Sequence, residues 1–384
     1  MASWRDGMPR GMRLKSEGFA SALSDPAGAF TLKQFCAEND IPYGDLDVPV
    51  SVETFTAYGD SFQQKFVPQL DTRRVAHVAR APHGFTLTLE DGTCVDARRV
   101  IIATGVAPFK HIPAVLAGLT PSRLTHTCEH ADYAAFAGKR VVVIGAGASA
   151  VDAAAALQRG GAIASLVSRR AEVRFHAGAT RRGLRQRLVA PITPLGPGWK
   201  KLFCVRAPLT FRLLPARLRR RLVTRYLGPA PGWFAREDFV GKVEVHLSSR
   251  LIAARETADG AALEIAGPDG RRTLEVDHVV AGTGYGVDIA RLAFLDRDIV
   301  GAIACEAAAP RLSPSFETSV PGLYVAGPAA AFTFGPLLRF VCGAGFAARR
   351  ITAHVAAQER PLERRSGQDR PAGASFQLDG SPAC

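Results

Sequence analysis

The sequence predicts an α/β chain built from two similar, interleaved units. Two observations carry this. An apolar strand runs through a glycine-rich turn into an alanine-rich helix, and a strand–turn–strand–strand pattern occurs twice. Composition agrees. Of 384 residues, 47% are hydrophobic and 22% charged. That is the balance of a chain that folds into sizeable cores, and it excludes wholesale disorder.

The elements follow in order. The opening MASWRDGMPRGMRLK is charged and has no apolar stretch of the kind a secretory leader needs. Residues 30–37 and 52–66 read as helices. The first copy of the repeat is GFTLTLEDGTCVDARRVIIATG at 84–105. Alternating apolar residues form a strand, Glu90-Asp91-Gly92 turns the chain, a return strand follows, and VII is a short buried strand ending on Thr104-Gly105. The second copy is AALEIAGPDGRRTLEVDHVVAGTGY at 261–285, and it ends on Gly-Thr-Gly.

Between the copies lies KRVVVIGAGASAVDAAAALQRGGAIASLVSRR at 139–170. Val141 to Ile144 form a buried parallel strand. Residues 148–159 form a helix that Gly160-Gly161 ends, and 163–167 form the next strand. This β–turn–α–β unit needs a right-handed crossover. Its loop lies about 137 residues before the Gly-Thr-Gly of the second copy. The same offset places the first copy's loop roughly 30 residues before Met1. The first unit is therefore expected to lack its N-terminal βαβ start. The domains expected are 1–120, completed by 286–358, and 121–285, with a tail over 359–384 that is polar, rich in glycine and proline, and read as disordered.

The loop GAGASA carries chemistry. Gly145 permits the sharp turn, Gly147 lets backbone approach a pyrophosphate, and Ala150 is small enough for the helix to pack on the strand. The helix N-terminus offers free N–H groups to phosphate, and Ser149 adds a hydroxyl. Strand, loop, helix and second strand in this order make the pattern specific for a dinucleotide. The second strand ends in Ser168-Arg169-Arg170, where NAD-binding units carry an acid. Arginines there suit a 2′-phosphate, so NADP(H) is expected over NAD(H).

Net charge is +13, and its location is informative. Residues 169–226 hold 16 Lys plus Arg against one acid, Glu172. The basic insertion at 177–241, whose alternating apolar and arginine residues over 211–226 suggest an amphipathic helix, admits three readings: a lid or substrate wall, a peripheral membrane contact, or a subunit contact in an oligomer. Its arginines are not interleaved with stacking aromatics, which argues against nucleic acid. The uncharged run at 322–338 holds glycines and prolines and reads as a buried strand–loop–helix, not a transmembrane segment. Seven scattered cysteines form no CxxC pair, so neither a zinc ribbon nor a redox dithiol is expected, and a cytoplasmic location is the default. No metal site is expected. Glu129, His130 and Asp132 read as a polar linker.

On these motifs the chain resembles the flavin-containing monooxygenases and their Baeyer–Villiger and N-hydroxylating relatives, and most of all the bacterial FAD-dependent NAD(P)-binding oxidoreductases of that superfamily. The resemblance runs from about residue 4 to 351. It rests on GAGASA, on Val167-Ser168-Arg169, on Ala103-Thr104-Gly105 and Gly282-Thr283-Gly284-Tyr285 as the crossings between domains, and on GLYVAGPAAAFTFGPLLRFVCGAGFAAR at 322–349. It implies two nested three-layer Rossmann-like dinucleotide-binding domains, the FAD/NAD(P)-binding fold. It also places Gly327, Pro328, Gly335, Pro336 and Leu337 near the flavin or its phosphates, with Trp4 and Ser16 in the ring pocket. His126 matches the histidine of the monooxygenase fingerprint and is the candidate catalytic residue, although Thr120 and Ser122 replace the Phe and Gly of that pattern. The resemblance further implies that NADPH reduces FAD, and that oxygen then passes to a small nucleophile such as an amine or a sulfide. A non-oxygenating reductase of the same fold and an NADP-binding protein without FAD are the alternatives.

Overall fold

The computed structural model describes residues 1–176, 183–226, 228 and 230–359. At the N-terminus, α1 (Ala2–Asp6), α2 (Leu32–Glu38) and α3 (Val52–Phe66) close around an aromatic core. The helix expected over 30–37 starts at Leu32, because Thr31 caps it: its side chain accepts from the Gln34 amide and the Gln34 side chain returns to the Thr31 amide. Ser51 caps α3 one way only, its hydroxyl accepting from the Thr54 amide at 3.0 Å. The Tyr58 hydroxyl donates to the Phe30 carbonyl at 2.8 Å, which satisfies the one polar atom this ring buries.

Each copy of the repeat supplies two strands of a three-stranded antiparallel meander, whose first strand precedes the copy. The first meander is β1 (Val75–Ala81), β2 (Gly84–Leu89) and β3 (Cys94–Ala97), and it leads into β4 (Val100–Ile102). The Glu90-Asp91-Gly92 turn forms as expected, with Gly92 at φ +83°.

A five-stranded parallel sheet forms the centre of the second unit. Its strands are β5 (Leu124–His126), β6 (Arg140–Ile144), β7 (Ile163–Val167), β8 (Glu244–His246) and, after the second meander β9 (Arg250–Glu256), β10 (Ala261–Gly267) and β11 (Gly270–Val276), β12 (His278–Ala281). The order is β5-β12-β6-β7-β8. Val141 and Val143 face α4 (Ala148–Arg159), whereas Val142 and Ile144 face the meander, so β6 is buried on both sides. This is why its sequence reads as an unbroken apolar run and not as an alternation. Helix, sheet and meander are the three layers.

The insertion between β7 and β8 contains α5 (Leu184–Val189), α6 (Trp199–Arg206), α7 (Ala216–Arg225) and α8 (Arg236–Phe239). The amphipathic pattern over 211–226 is not one helix. A 3-10 turn at Thr210–Leu213 ends before Pro215, which has no N–H to donate and instead caps the start of α7. The chain then returns to the first unit through α9 (Arg297–Ala302), the short pair β13 (Cys305–Glu306) and β14 (Ala309–Pro310), β15 (Leu323–Val325), α10 (Ala331–Phe334) and α11 (Ala344–Glu359). β15 pairs in parallel with β4. The run at 322–338 is thus strand, 3-10 turn and short helix, and no described helix is long and apolar enough to cross a membrane. The tail expected to be disordered lies outside the described residues except for Glu359, the last residue of α11.

Candidate dinucleotide site and the domain crossing

The strand order determines where a ligand can bind. From β6 the chain moves outward to β7 and β8, then returns to β12 on the other side of β6. The direction of winding reverses there, and the crevice at the carboxyl ends of β6 and β12 is the binding position of such sheets. Both glycine motifs of the second unit end in it.

Gly145 adopts φ +133°, and a Cβ on it would collide with the Gly282 carbonyl oxygen. Gly282 has the same constraint from the helix: a Cβ there would lie 2.5 Å from the Ala150 methyl. Gly145, Ala150 and Gly282 are small because loop, helix and strand end meet at backbone distance. Gly147 is the N-cap of α4, and no side chain caps the helix, so its first N–H groups face the crevice. Ser149 is exposed at the first turn and Ala150 is fully buried.

The end of β7 lies beside this turn. Ser168 is buried, and its hydroxyl accepts from the Arg170 amide at 3.1 Å. The Arg170 guanidinium reaches the Ala146 carbonyl at 3.4 Å, which ties it to the loop, and Arg169 is exposed. Next along the edge, His246 at the end of β8 accepts from Arg272 at 2.6 Å, and burial together with that arginine lowers its pKa.

The domain crossing gathers the third set of expected residues. His126 ends β5 opposite Ala281 of β12 and is fully buried. Its Nε2 donates to the Gly284 carbonyl at 3.1 Å. Its Nδ1 accepts from the Cys128 amide at 3.3 Å and lies 3.1 Å from the Cys128 thiol. These partners fix one neutral tautomer, and desolvation drives the pKa down to about 4. The Tyr285 ring meets the imidazole edge-on at 5.1 Å. Glu129, paired with Lys110, accepts from the His126 amide. Beside them, the Tyr133 hydroxyl is buried without a hydrogen-bond partner.

The remaining expected residues lie elsewhere. Thr104 and Gly105 follow β4, with Gly105 at φ +71°. Gly327, at φ +73°, and Pro328 open a 3-10 turn after β15. Gly335 is in the left-handed region at φ +88°, against the Phe211 ring, and Pro336 and Leu337 are buried. Trp4 packs on Phe55 in the N-terminal helical core, with centroids 4.7 Å apart. Ser16 lines a small cavity with Lys15, His176, Trp233 and Phe234.

Two features escaped sequence reasoning. Asp152 on α4 lines a cleft of about 220 Å³ that the N-terminal segment Pro9–Arg13 and Phe234 close from the other side. Desolvation raises its carboxyl to about 7 against the pull of Arg159 and Lys15. One clue was available, since Asp152 is the only charge between Ala148 and Gln158. Lys15 in turn is depressed by burial and by the nearby Lys201 and Arg339. These cations come from three distant parts of the chain, and no local pattern joins them.

Two meanders and parallel sheets with a glycine loop at the switch point make up the FAD/NAD(P)-binding Rossmann-type fold. Solved structures with this fold include a flavin-containing monooxygenase and an ornithine N-hydroxylase. Residues 51–189 match the family model of the pyridine nucleotide-disulphide oxidoreductases. A ferredoxin–NADP reductase of Gluconacetobacter diazotrophicus is 28% identical over 271 residues, which is 69% of this chain and 63% of the reductase. An FAD-dependent urate hydroxylase of Xanthomonas campestris pv. campestris is 41% identical over 95 residues, 24% of this chain and 20% of the hydroxylase. The matched part therefore spans less than two thirds of either relative.

Among solved structures, an ornithine N-hydroxylase of Kutzneria sp. 744 superposes with a TM-score of 0.69 at 15% identity, over 94% of this chain and 90% of that one. A cadaverine monooxygenase of desferrioxamine biosynthesis from Erwinia amylovora gives 0.65 at 18%, over 96% and 90%. A bacillithiol disulfide reductase from Staphylococcus aureus gives 0.60 at 16%, over 92% and 87%. These structures share the fold.

Proposed function

We propose that the chain is an NADPH-dependent FAD oxidoreductase that acts as a monooxygenase on a small nucleophilic substrate such as an amine or a sulfide. The observation that carries this is the uncapped N-terminus of α4 at the switch point, with Ser168, Arg169 and Arg170 beside it. The α4 amides would hold the NADP(H) pyrophosphate, with Ser149 as a further donor. The arginines would take the 2′-phosphate as charge-assisted hydrogen bonds. Burial of Ala150 against Gly282 keeps the helix end rigidly placed. His126, neutral and bonded through both nitrogens, is a positioning residue in this reading: it holds the Gly284 carbonyl and the Tyr285 ring where the chain crosses between the units.

The residues present fit FAD in part. Gly327 heads a turn after β15 with open space at its Cα, and Gly335 to Leu337 and Thr104-Gly105 are the other candidates. Among the described residues the first unit has no strand–glycine loop–helix like that at Gly145, so no residue is assigned to the FAD pyrophosphate. FAD, when bound, accepts hydride from NADPH and activates oxygen. Asp152 borders the cleft between α4 and the N-terminal segment, and Lys15 the small cavity beside Ser16, and each would set the charge met by a ligand there.

The ferredoxin–NADP reductase relative, with its longer alignment, favours a second reading, a reductase that does not oxygenate. NADPH oxidation by the full chain with added FAD separates the two. The monooxygenase reading expects oxygenated product from an amine or sulfide panel. NADPH loss with peroxide as the sole product across that panel would establish the reductase. In either case Arg169→Ala/Arg170→Ala should raise the KM for NADPH about tenfold or more and leave that for NADH within about twofold.

A further inference from the structure

We propose that the outer face of the insertion is a docking surface for a membrane bearing anionic lipid. The insertion has two unlike sides. Its inner side is anchored in the core: Phe211 and Val223 are buried, α6 packs on the Pro336–Arg339 turn, and α7 packs on α10. The outer faces of α6 and α7 therefore look away from common ground.

On α6, Trp199, Phe203 and Arg206 recur at spacings of four and three and form one stripe. Trp199 is 60% exposed and Phe203 53%. The Trp199 indole donates to the Leu188 carbonyl at 3.1 Å, which brings the end of α5 alongside, where Leu188 is 73% and Val189 76% exposed. Four large apolar side chains are thus held together in solvent. On α7, Arg217, Arg220, Arg221 and Arg225 are exposed, and none forms an ion pair with a described residue. Exposed bulky apolar residues on α5 and α6, together with the exposed arginines of α7 in the same insertion, match a bilayer interface, where rings and aliphatic chains enter the headgroup boundary and arginines meet phosphate.

Other occupants fit less well. The 360–384 segment carries four arginines against three acids and offers no acidic complement. A second copy would set two basic faces against each other. Nucleic acid would account for the arginines but leave Leu188 and Val189 in water.

Sedimentation of the full chain with vesicles tests this. Binding is expected on equimolar phosphatidylcholine and phosphatidylglycerol and not on phosphatidylcholine alone. Trp199→Ser/Phe203→Ser and, separately, the four arginines of α7 changed to Gln should each weaken it about tenfold. Equal partition onto both vesicle types would overturn the proposal. So would vesicle binding that a DNA duplex abolishes and Trp199→Ser/Phe203→Ser leaves unchanged, or self-association without vesicle binding. If the variants misfold, tryptophan emission of the wild-type chain decides: acyl-brominated phosphatidylglycerol must quench it, and unquenched emission refutes docking.

Discussion

Asp152 shows how a single residue couples stability to pH in this protein. Its folded pKa of about 7 lies above the unfolded value near 4. The folded state therefore holds the proton more tightly, and stability is fullest below pH 4 and declines as pH rises towards 7. Asp152→Asn should remove that decline. At pH 8 the variant is expected to be more stable than wild type by about 2–4 kcal/mol, with the gap closing near pH 4. Urea denaturation across that range measures it, and a constant gap would show that desolvation of the carboxylate is not the cause. Gly145 makes the opposite point. Its φ of +133° and its contact with Gly282 leave no room for a methyl group. Gly145→Ala is expected to cost about 2–4 kcal/mol in stability and to weaken NADPH binding with it. That glycine was legible from its motif, whereas the pKa of Asp152 was not, because burial by a segment 140 residues away has no signature in the helix that carries the acid.

At the scale of elements, legibility followed how local the determining force was. β6, α4 and β7 could be read almost to the residue, because apolar run, glycine turn and alanine-rich helix each determine their own structure. The β2–β3 and β10–β11 pairs were readable for the same reason, whereas β1 and β9 precede the repeated pattern and were not. The insertion was not. Its apolar-basic alternation suggested one helix, yet Pro215 divides it, and the residue that matters most, Phe211, sits in the 3-10 turn and packs on Gly335. The contact joins the insertion to the segment expected to face the flavin, which favours the reading of this inner side as a wall of the site. Phe211→Ala should destabilise the protein by about 3–5 kcal/mol, as expected for an emptied core aromatic site. Chemical denaturation would show this, and a change below about 1 kcal/mol would mean that the insertion is only loosely attached.

At the scale of the molecule, the parallel sheet buries three histidines, His126, His246 and His278, and two of them resist charging most strongly. His126 and His278 are both pushed down to about 4 by desolvation. His278 lies 2.9 Å from the Thr125 hydroxyl and 3.1 Å from the Ser122 carbonyl. Unfolded histidine takes its proton near pH 6.5, so the unfolded chain binds more protons between pH 6.5 and 4. Stability should therefore fall as pH drops through that window, by up to about 3 kcal/mol for each ring. Melting temperature against pH would show the fall, and His126→Gln/His278→Gln should flatten it. An unchanged slope in that variant would place the acid lability elsewhere.

By itself the sequence determined the repeat and the strand–glycine turn–helix–strand unit with arginines at its end, because these depend on short-range patterns of glycine, apolar residues and charge. The tertiary structure decided what the patterns face. Strand order turned the loop into a switch-point crevice, packing tied both nitrogens of His126 to the domain crossing, and burial made Asp152 a group that titrates near neutrality. It also separated the basic insertion into an inner face within the core and an outer face in solvent. Contacts between residues a hundred or more positions apart depend on how the layers assemble, and no local pattern in the chain encodes that.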